Sequence, residues 1–251
     1  MEVHHHPHVE KKNFKEYFLE FLMIFLAVTL GFFAENLREY INDEDRVKNN
    51  IKSMISDLKS DSAMYSEVIK QNLYAERMID TLIDMLNEQS SHTGHIYFLA
   101  RNITAIIDNP RPDTRTFDQM KAEGSFHLIK NKSILDSITR YYQASKFFEM
   151  GSNIELQKLY DVHTANSELF NGVVLKKIFS NQYINSEQNA LKVIEPGYDP
   201  PLMSKDPILI NKIIVRYGYL ASALKENDGE ISVETERYKR LIKLLEDEYN
   251  L

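Results

Sequence analysis

Cysteine is absent from the 251-residue sequence, which excludes disulfide frameworks, thiolate metal sites and cysteine nucleophiles. Glycine and proline are scarce, at 8 and 7. That is too few for the turn-rich texture of a β-sandwich or barrel, or for a glycine-built phosphate loop. Positive charge is in deficit. The 30 Lys and Arg face 37 Asp and Glu, and a net charge of −7 lacks the electrostatic footprint of a nucleic-acid binder. The deficit is not confined to one end: residues 1–34 carry three lysines against four glutamates, net −1, which leaves −6 for the rest. Long apolar runs are missing too, with one exception.

The exception is Phe21 to Ala34, 14 residues without a charge. As a helix they cover roughly 21 Å, short of the roughly 30 Å hydrocarbon core of a bilayer. Extension back to Tyr17 gives about 27 Å and takes in Glu20; Phe14 to Leu37 gives about 36 Å, with Lys15 and Glu16 close enough to the end to reach headgroups. The reading is a spanning helix over 14–38, with Phe14 and Tyr17 at one interface and Glu35, Asn36 and Arg38 at the other. A buried core helix would sit oddly in so polar a chain, since the run holds four phenylalanines and no polar face. A flat interfacial helix needs that polar face. Cleavage after Ala34 as a signal peptide would put bulky Phe32 where a small residue is wanted. Glu20 is the one charge beside the run, to be read as a functional intramembrane carboxylate or as a side chain that snorkels from one turn inside the interface. Lys11, Lys12 and Lys15 before the helix against Arg38, Arg46, Lys48 and Lys52 after it lean towards a cytoplasmic N-terminus, with the bulk of the chain outside.

Beyond Ala34 the apolar positions keep helical spacing. Leu37, Ile51, Leu58, Tyr65, Ile79 and Leu86 share one heptad position, and Ile41, Ile55, Ile69 and Ile83 fall four residues later. Glu44, Lys48, Ser62, Asn72 and Glu76 interrupt this seam. No Gly or Pro occurs between Glu35 and Ser91, so a helix can continue from the bilayer as a stalk over 39–90. Two uses of the seam stay open: packing within its own domain, or pairing with a second copy.

Residues 91–251 read as a helical bundle that packs with the stalk. A short helix over 94–108 is ended by Asn109-Pro110-Arg111-Pro112-Asp113. Thr114 or Thr116 can cap the next helix, which Gly124 closes. A long apolar pattern from Lys132 to Phe170 contains Gly151 as a possible kink, and a short helix over Val173–Phe179 precedes the linker Glu195–Pro201. Two last helices, 207–225 and 233–249, are separated by Asn227-Asp228-Gly229. The expected organisation is a tail over 1–13, a membrane helix over 14–38, a stalk over 39–90 and an antiparallel all-α bundle over 91–251.

Two segments carry a family resemblance. Tyr17-Phe18-Leu19-Glu20, the apolar run and Gly31-Phe32-Phe33-Ala34-Glu35-Asn36 form the first. Thr116-Phe117-Asp118-Gln119-Met120-Lys121-Ala122-Glu123-Gly124, followed by Leu128-Ile129-Lys130-Asn131 and Tyr141-Tyr142, form the second. Together they resemble a bacterial family of uncharacterised single-span membrane proteins with an N-terminal transmembrane helix and a helical soluble domain. The resemblance covers about the first 60 residues and 114–142. It implies the bacterial inner membrane and carries no activity with it.

Candidate chemistry is sparse. His4, His5, His6 and His8 form the densest ligand cluster, but Pro7 and the lack of packing around a tail leave no fixed geometry, so the expectation is weak, adventitious metal binding. Arg101, Arg111 and Arg115 gather around the proline-rich turn, and Lys121, Arg140, Tyr141 and Tyr142 can face them. Arg115, Arg140 and Tyr141 are the candidates for clamping a carboxylate or phosphate, unless Arg115 and Arg140 bond helix-end carbonyls or Asp113 and Asp118. No nucleophile elbow, HExxH, Walker loop or paired DxD occurs, and no enzyme or cofactor is expected. The sequence reads as a membrane-anchored scaffold or assembly subunit. Its expected partners are membrane lipid and a second copy or another membrane protein. The alternative is a ligand-sensing domain that acts through a separate partner.

Overall fold

The computed structural model describes residues 13–107, 111–179 and 197–251, with side chains for all of these except 147–152 and 178–179. Among them the fold is all-α, without a strand. The helices are α1 (Phe14–Asn87), α2 (Thr93–Ile106), α3 (Arg115–Ala122), α4 (Lys132–Leu169), α5 (Gly172–Phe179) and α6 (Pro207–Tyr249), with a 3₁₀ turn at Ser125–Leu128. The chain divides into two compact units, 1–50 and 51–251, and α1 belongs to both. The expected membrane and stalk segments are thus one unbroken helix, which stops at Asn87 rather than residue 90, where Gln89 takes a left-handed φ of 52°.

From Phe14 to Ile41, α1 exposes its apolar residues on all sides: Phe32 and Phe33 are 68% and 71% exposed, and Leu19, Ile24, Leu30 and Leu37 are exposed with them; Val47, near the end of the first unit, is buried. Its polar groups satisfy one another locally. The Thr29 hydroxyl donates to the Phe25 carbonyl, and Arg38 binds Glu35 at 2.5 Å one turn away.

In the second unit the pattern inverts. Ile51, Leu58, Tyr65, Ile79 and Leu86 are buried, so from Ile51 onward the heptad seam is used up inside its own bundle. That stretch of the seam faces the chain's own bundle, whereas Leu37 and Ile41, in the first unit, stay exposed. Helix α6 runs antiparallel to α1, with Lys59 bound to Glu246, Tyr65 stacked on Tyr238 and Asn72 bonded to Asp228. It is antiparallel to α4 as well: Tyr141 meets Tyr238, Glu155 meets Asn227 and Asn166 meets Tyr217. The residues of α2 from Ile96 to Ile103 complete one core with Leu82, Leu86, Val162, Leu169, Ile213 and Leu220.

Local signals set most helix ends. Asn131 accepts the Ser133 N–H ahead of α4; Asp206 accepts the Ile208 N–H, with Pro207 at the first turn of α6. Gly124, at φ 69°, ends the turn after α3 in a conformation L residues avoid. Thr114 precedes α3, but its hydroxyl goes to Asp118, and the carboxylate of Asp113 takes the Arg115 N–H instead. Gly94 is required by a close approach: a Cβ there would lie 2.0 Å from the carbonyl oxygen of Tyr198, and its own N–H donates to Asp199 at 3.0 Å.

Two expected breaks are absent. Helix α4 passes through Gly151, and α6 passes through Asn227-Asp228-Gly229, merging the two final helices into one of 43 residues. A glycine in a helix costs only about 1 kcal/mol, and beside Gly229 the side chains of Asn227 and Asp228 are held by α4 and α1. The turn chemistry of Asn and Asp is thereby redirected into tertiary hydrogen bonds.

Candidate functional site

The candidate site residues fall into different settings. Glu20 lies half-buried within the first two turns of α1. The histidines at 4, 5, 6 and 8 lie outside the described residues. Among the described residues no group of three or more His, Asp or Glu is arranged to hold a metal ion.

Arg115 does not reach across to Arg140. Its guanidinium binds Asp57 at 2.8 Å and Asp113 at 3.4 Å, with 73% of its side chain exposed. The acceptor is the buried partner. Asp57 is 4% exposed on α1, and its other oxygen takes both the backbone N–H and the hydroxyl of Thr116. One turn on, Asp61 is 3% exposed, and both its oxygens accept the Asp113 N–H at 3.0 and 3.1 Å. Two carboxylates four residues apart on one helix face therefore dock the N-terminus of α3, where free N–H groups favour negative charge. Burial, with the charges of Asp113 and Asp57, raises the Asp61 carboxyl to about 6 despite its backbone hydrogen bonds. This is the physical content of the Thr116–Gly124 segment: it is a docking element, and Arg115 seals its edge.

Tyr141 faces the core. It is T-shaped against Tyr142 at 4.8 Å and Tyr238 at 4.9 Å; Tyr238 stacks on Tyr65, and Tyr142 stacks on Phe117 at 4.0 Å. These rings tie α1, α3, α4 and α6 into one aromatic ladder, and burial pushes the hydroxyls of Tyr65, Tyr141, Tyr142 and Tyr238 well above the usual phenol range.

A second polar layer crosses the bundle. Asn72 donates to Asp228 at 2.7 Å, Asn227 donates to Glu155 at 2.5 Å, and Lys225 approaches Glu76 at 3.8 Å. Glu155 is raised to about 7, chiefly by burial and then by the Asp228 charge. Asp228 and Glu76 are raised by burial as well. The polar interruptions of the heptad seam at Asn72 and Glu76 are thus the α1 side of this layer.

Arg140 behaves differently from Arg115. It lines an open furrow of about 600 Å³ between α4 and α6, together with Tyr141 and Gln143 on its own helix and Arg237, Arg240 and Leu244 opposite. Arg237 binds Glu234, while Arg140 and Arg240 form no ion pair among the described residues. Sequence reasoning paired Arg140 with Arg115, 25 positions earlier, and missed the two arginines nearly 100 positions later. The available signal was the i, i+3 spacing of Arg237 and Arg240, which places both on one helix face. Asp57 and Asp61 were missed as well, although the spacing of four from Asp57 to Asp61 to Tyr65 puts all three on the face beside the buried seam. Compared with known proteins, the chain matches no family model, no curated protein and no solved structure.

Proposed function

We propose that the chain is a single-pass protein of a bacterial inner membrane, held there by the first part of α1, and that residues 51–251 form a non-enzymatic scaffold or assembly unit. One observation carries the reading. An 18-residue window of α1 has mean hydropathy 2.1, and none of it is buried within the chain. Such a surface in water would be far larger than the apolar patches soluble monomers expose; in lipid it is the ordinary exterior of a helix. The family resemblance of 17–36 and 116–142 supports the same placement. The basic residues flanking the helix favour a cytoplasmic N-terminus and an extracytoplasmic bundle.

The scaffold reading rests on what the bundle spends its polar residues on. Across helices Asp57 holds Arg115, Asp61 accepts the Asp113 N–H and Glu155 holds Asn227, an arrangement that holds shape rather than turning over a substrate. Self-association then belongs to the exposed stretch of α1, through Gly31, Leu37 and Ile41, because the later seam is filled. The test is alkaline carbonate extraction of the full-length chain, followed by crosslinking in the native membrane. Retention in the pellet and a reproducible crosslinked neighbour or dimer are expected; release into the supernatant overturns the reading. Ligand sensing through a separate partner is the second reading, and the arginine-lined furrow favours it.

A further inference from the structure

The furrow between α4 and α6 gathers positive charge in an otherwise acidic chain. Arg140 projects from α4, and Arg237 and Arg240 project from α6; no carboxylate lines the furrow with them. Glu234 pairs with Arg237 from outside the lining, and Glu236 on the same helix lies near enough to Arg240 for each to feel the other's charge, whereas Arg140 has no ion-pair partner among the described residues. Like charges on facing helices repel one another, and Arg side chains offer forked N–H groups spaced for two oxygens of one anion. Gln143 adds an amide on the α4 wall, while Ala144 and Leu244 supply an apolar floor.

We propose that this furrow is a binding site for a phosphate monoester: a dianionic head held between Arg140 and Arg240, with Arg237 beside it, and an apolar body against Leu244. A phosphate head offers three oxygens that can accept from guanidinium forks on both walls at once, one more than a carboxylate of similar size. The head can come from a soluble metabolite or from a lipid, and the two sources share this chemistry. The site does not depend on Arg115, which is committed to Asp57. It also stands apart from the membrane reading, which extraction tests independently.

The experiment is calorimetric titration of the full chain in uncharged detergent with phenyl phosphate and, in a second arm, with short-chain phosphatidic acid. Saturable binding of at least one is expected, and the tighter of the two identifies the source. Arg140→Gln and Arg240→Gln should each weaken it roughly tenfold or more, while Arg115→Gln leaves it unchanged. Arg140→Lys keeps the charge and loses the fork, so it should weaken binding with an unaltered melting curve, a check that holds even where a neutral variant folds poorly. No saturable binding of either probe overturns the proposal, as does binding that survives the combined loss of Arg140 and Arg240.

Discussion

Helix α1 is one continuous element with two opposite solutions to the same composition problem. Before Asn50 its leucines and isoleucines are exposed or half-exposed; from Ile51 most residues of the same types are buried in the bundle core. Backbone and propensity do not differ between the halves. The surroundings do. On the proposed membrane placement the first half needs no partner helix, because lipid is as apolar as a leucine side chain and the backbone hydrogen bonds are satisfied within the helix. In the second half water drives the apolar stripe into a core, and the polar residues that interrupt it must find partners in turn.

The largest effect should come from charging the first half. Phe25→Asp together with Leu26→Arg adds roughly 5–7 kcal/mol to the cost of insertion, enough to move the full chain from the carbonate-resistant pellet to the soluble or aggregated fraction. The thermal unfolding of residues 51–251 should not change. A pellet fraction equal to wild type would break the comparison.

Truncating leucines comes next, because it separates the halves by their neighbours. Leu82→Ala, fully buried, should lower the stability of the bundle by about 2–5 kcal/mol, whereas Leu30→Ala on the exposed half should leave bundle unfolding unchanged. Denaturant midpoints in a mild detergent measure both. Equal shifts would mean that Leu30 too is packed against protein.

A comparison within one ion pair is sharper still. Asp57→Ala strips the Thr116 N–H and hydroxyl of their acceptor and should destabilise by about 3 kcal/mol. Arg115→Ala removes a mostly exposed, solvent-screened guanidinium and should lower the melting temperature far less than Asp57→Ala does. The asymmetry follows from burial alone, and melting of the two variants side by side reads it directly.

The most gradual expected effect is a pH dependence, spread over several pH units. The fold raises Asp61 from 3.8 to about 6 and Glu155 from 4.5 to about 7, so the folded state binds these protons more tightly than the unfolded chain does. Stability from both groups is therefore fully present below about pH 4 and lost as pH rises through 6 and then 7, by an amount on the order of 1–3 kcal/mol each. Asp61→Asn should flatten the lower part of that slope and Glu155→Gln the upper part, as read by melting temperature against pH. A wild-type bundle that gains stability across pH 4–7 would contradict the assignment of these two groups unless other carboxylates outweigh them, and the two variants separate those cases.

How far the sequence could be read depended on whether a signal was local. The apolar run at 21–34, the glycine at 124, the helix start at Lys132 and the start at Pro207 act within one or two turns of themselves, and the structure has an element or an element end at each. The missed features involve residues far apart in the chain. Asn227-Asp228-Gly229 carries the composition of a turn, yet the helix continues because Asn227 and Asp228 find Glu155 and Asn72 across the bundle. Arg115 was grouped with its sequence neighbours, and its partner Asp57 lies 58 residues earlier on another helix.

By itself, then, the sequence determined the helical class, the one surface fit for lipid and most helix ends, since periodicity, hydropathy and capping are properties of a few adjacent residues. Tertiary packing decided which half of the heptad seam is filled, which acids are buried and raised, and which arginines share a furrow. Those outcomes turn on which helix lies beside which, and neighbouring helices in a bundle join residues separated by 50 to nearly 200 positions.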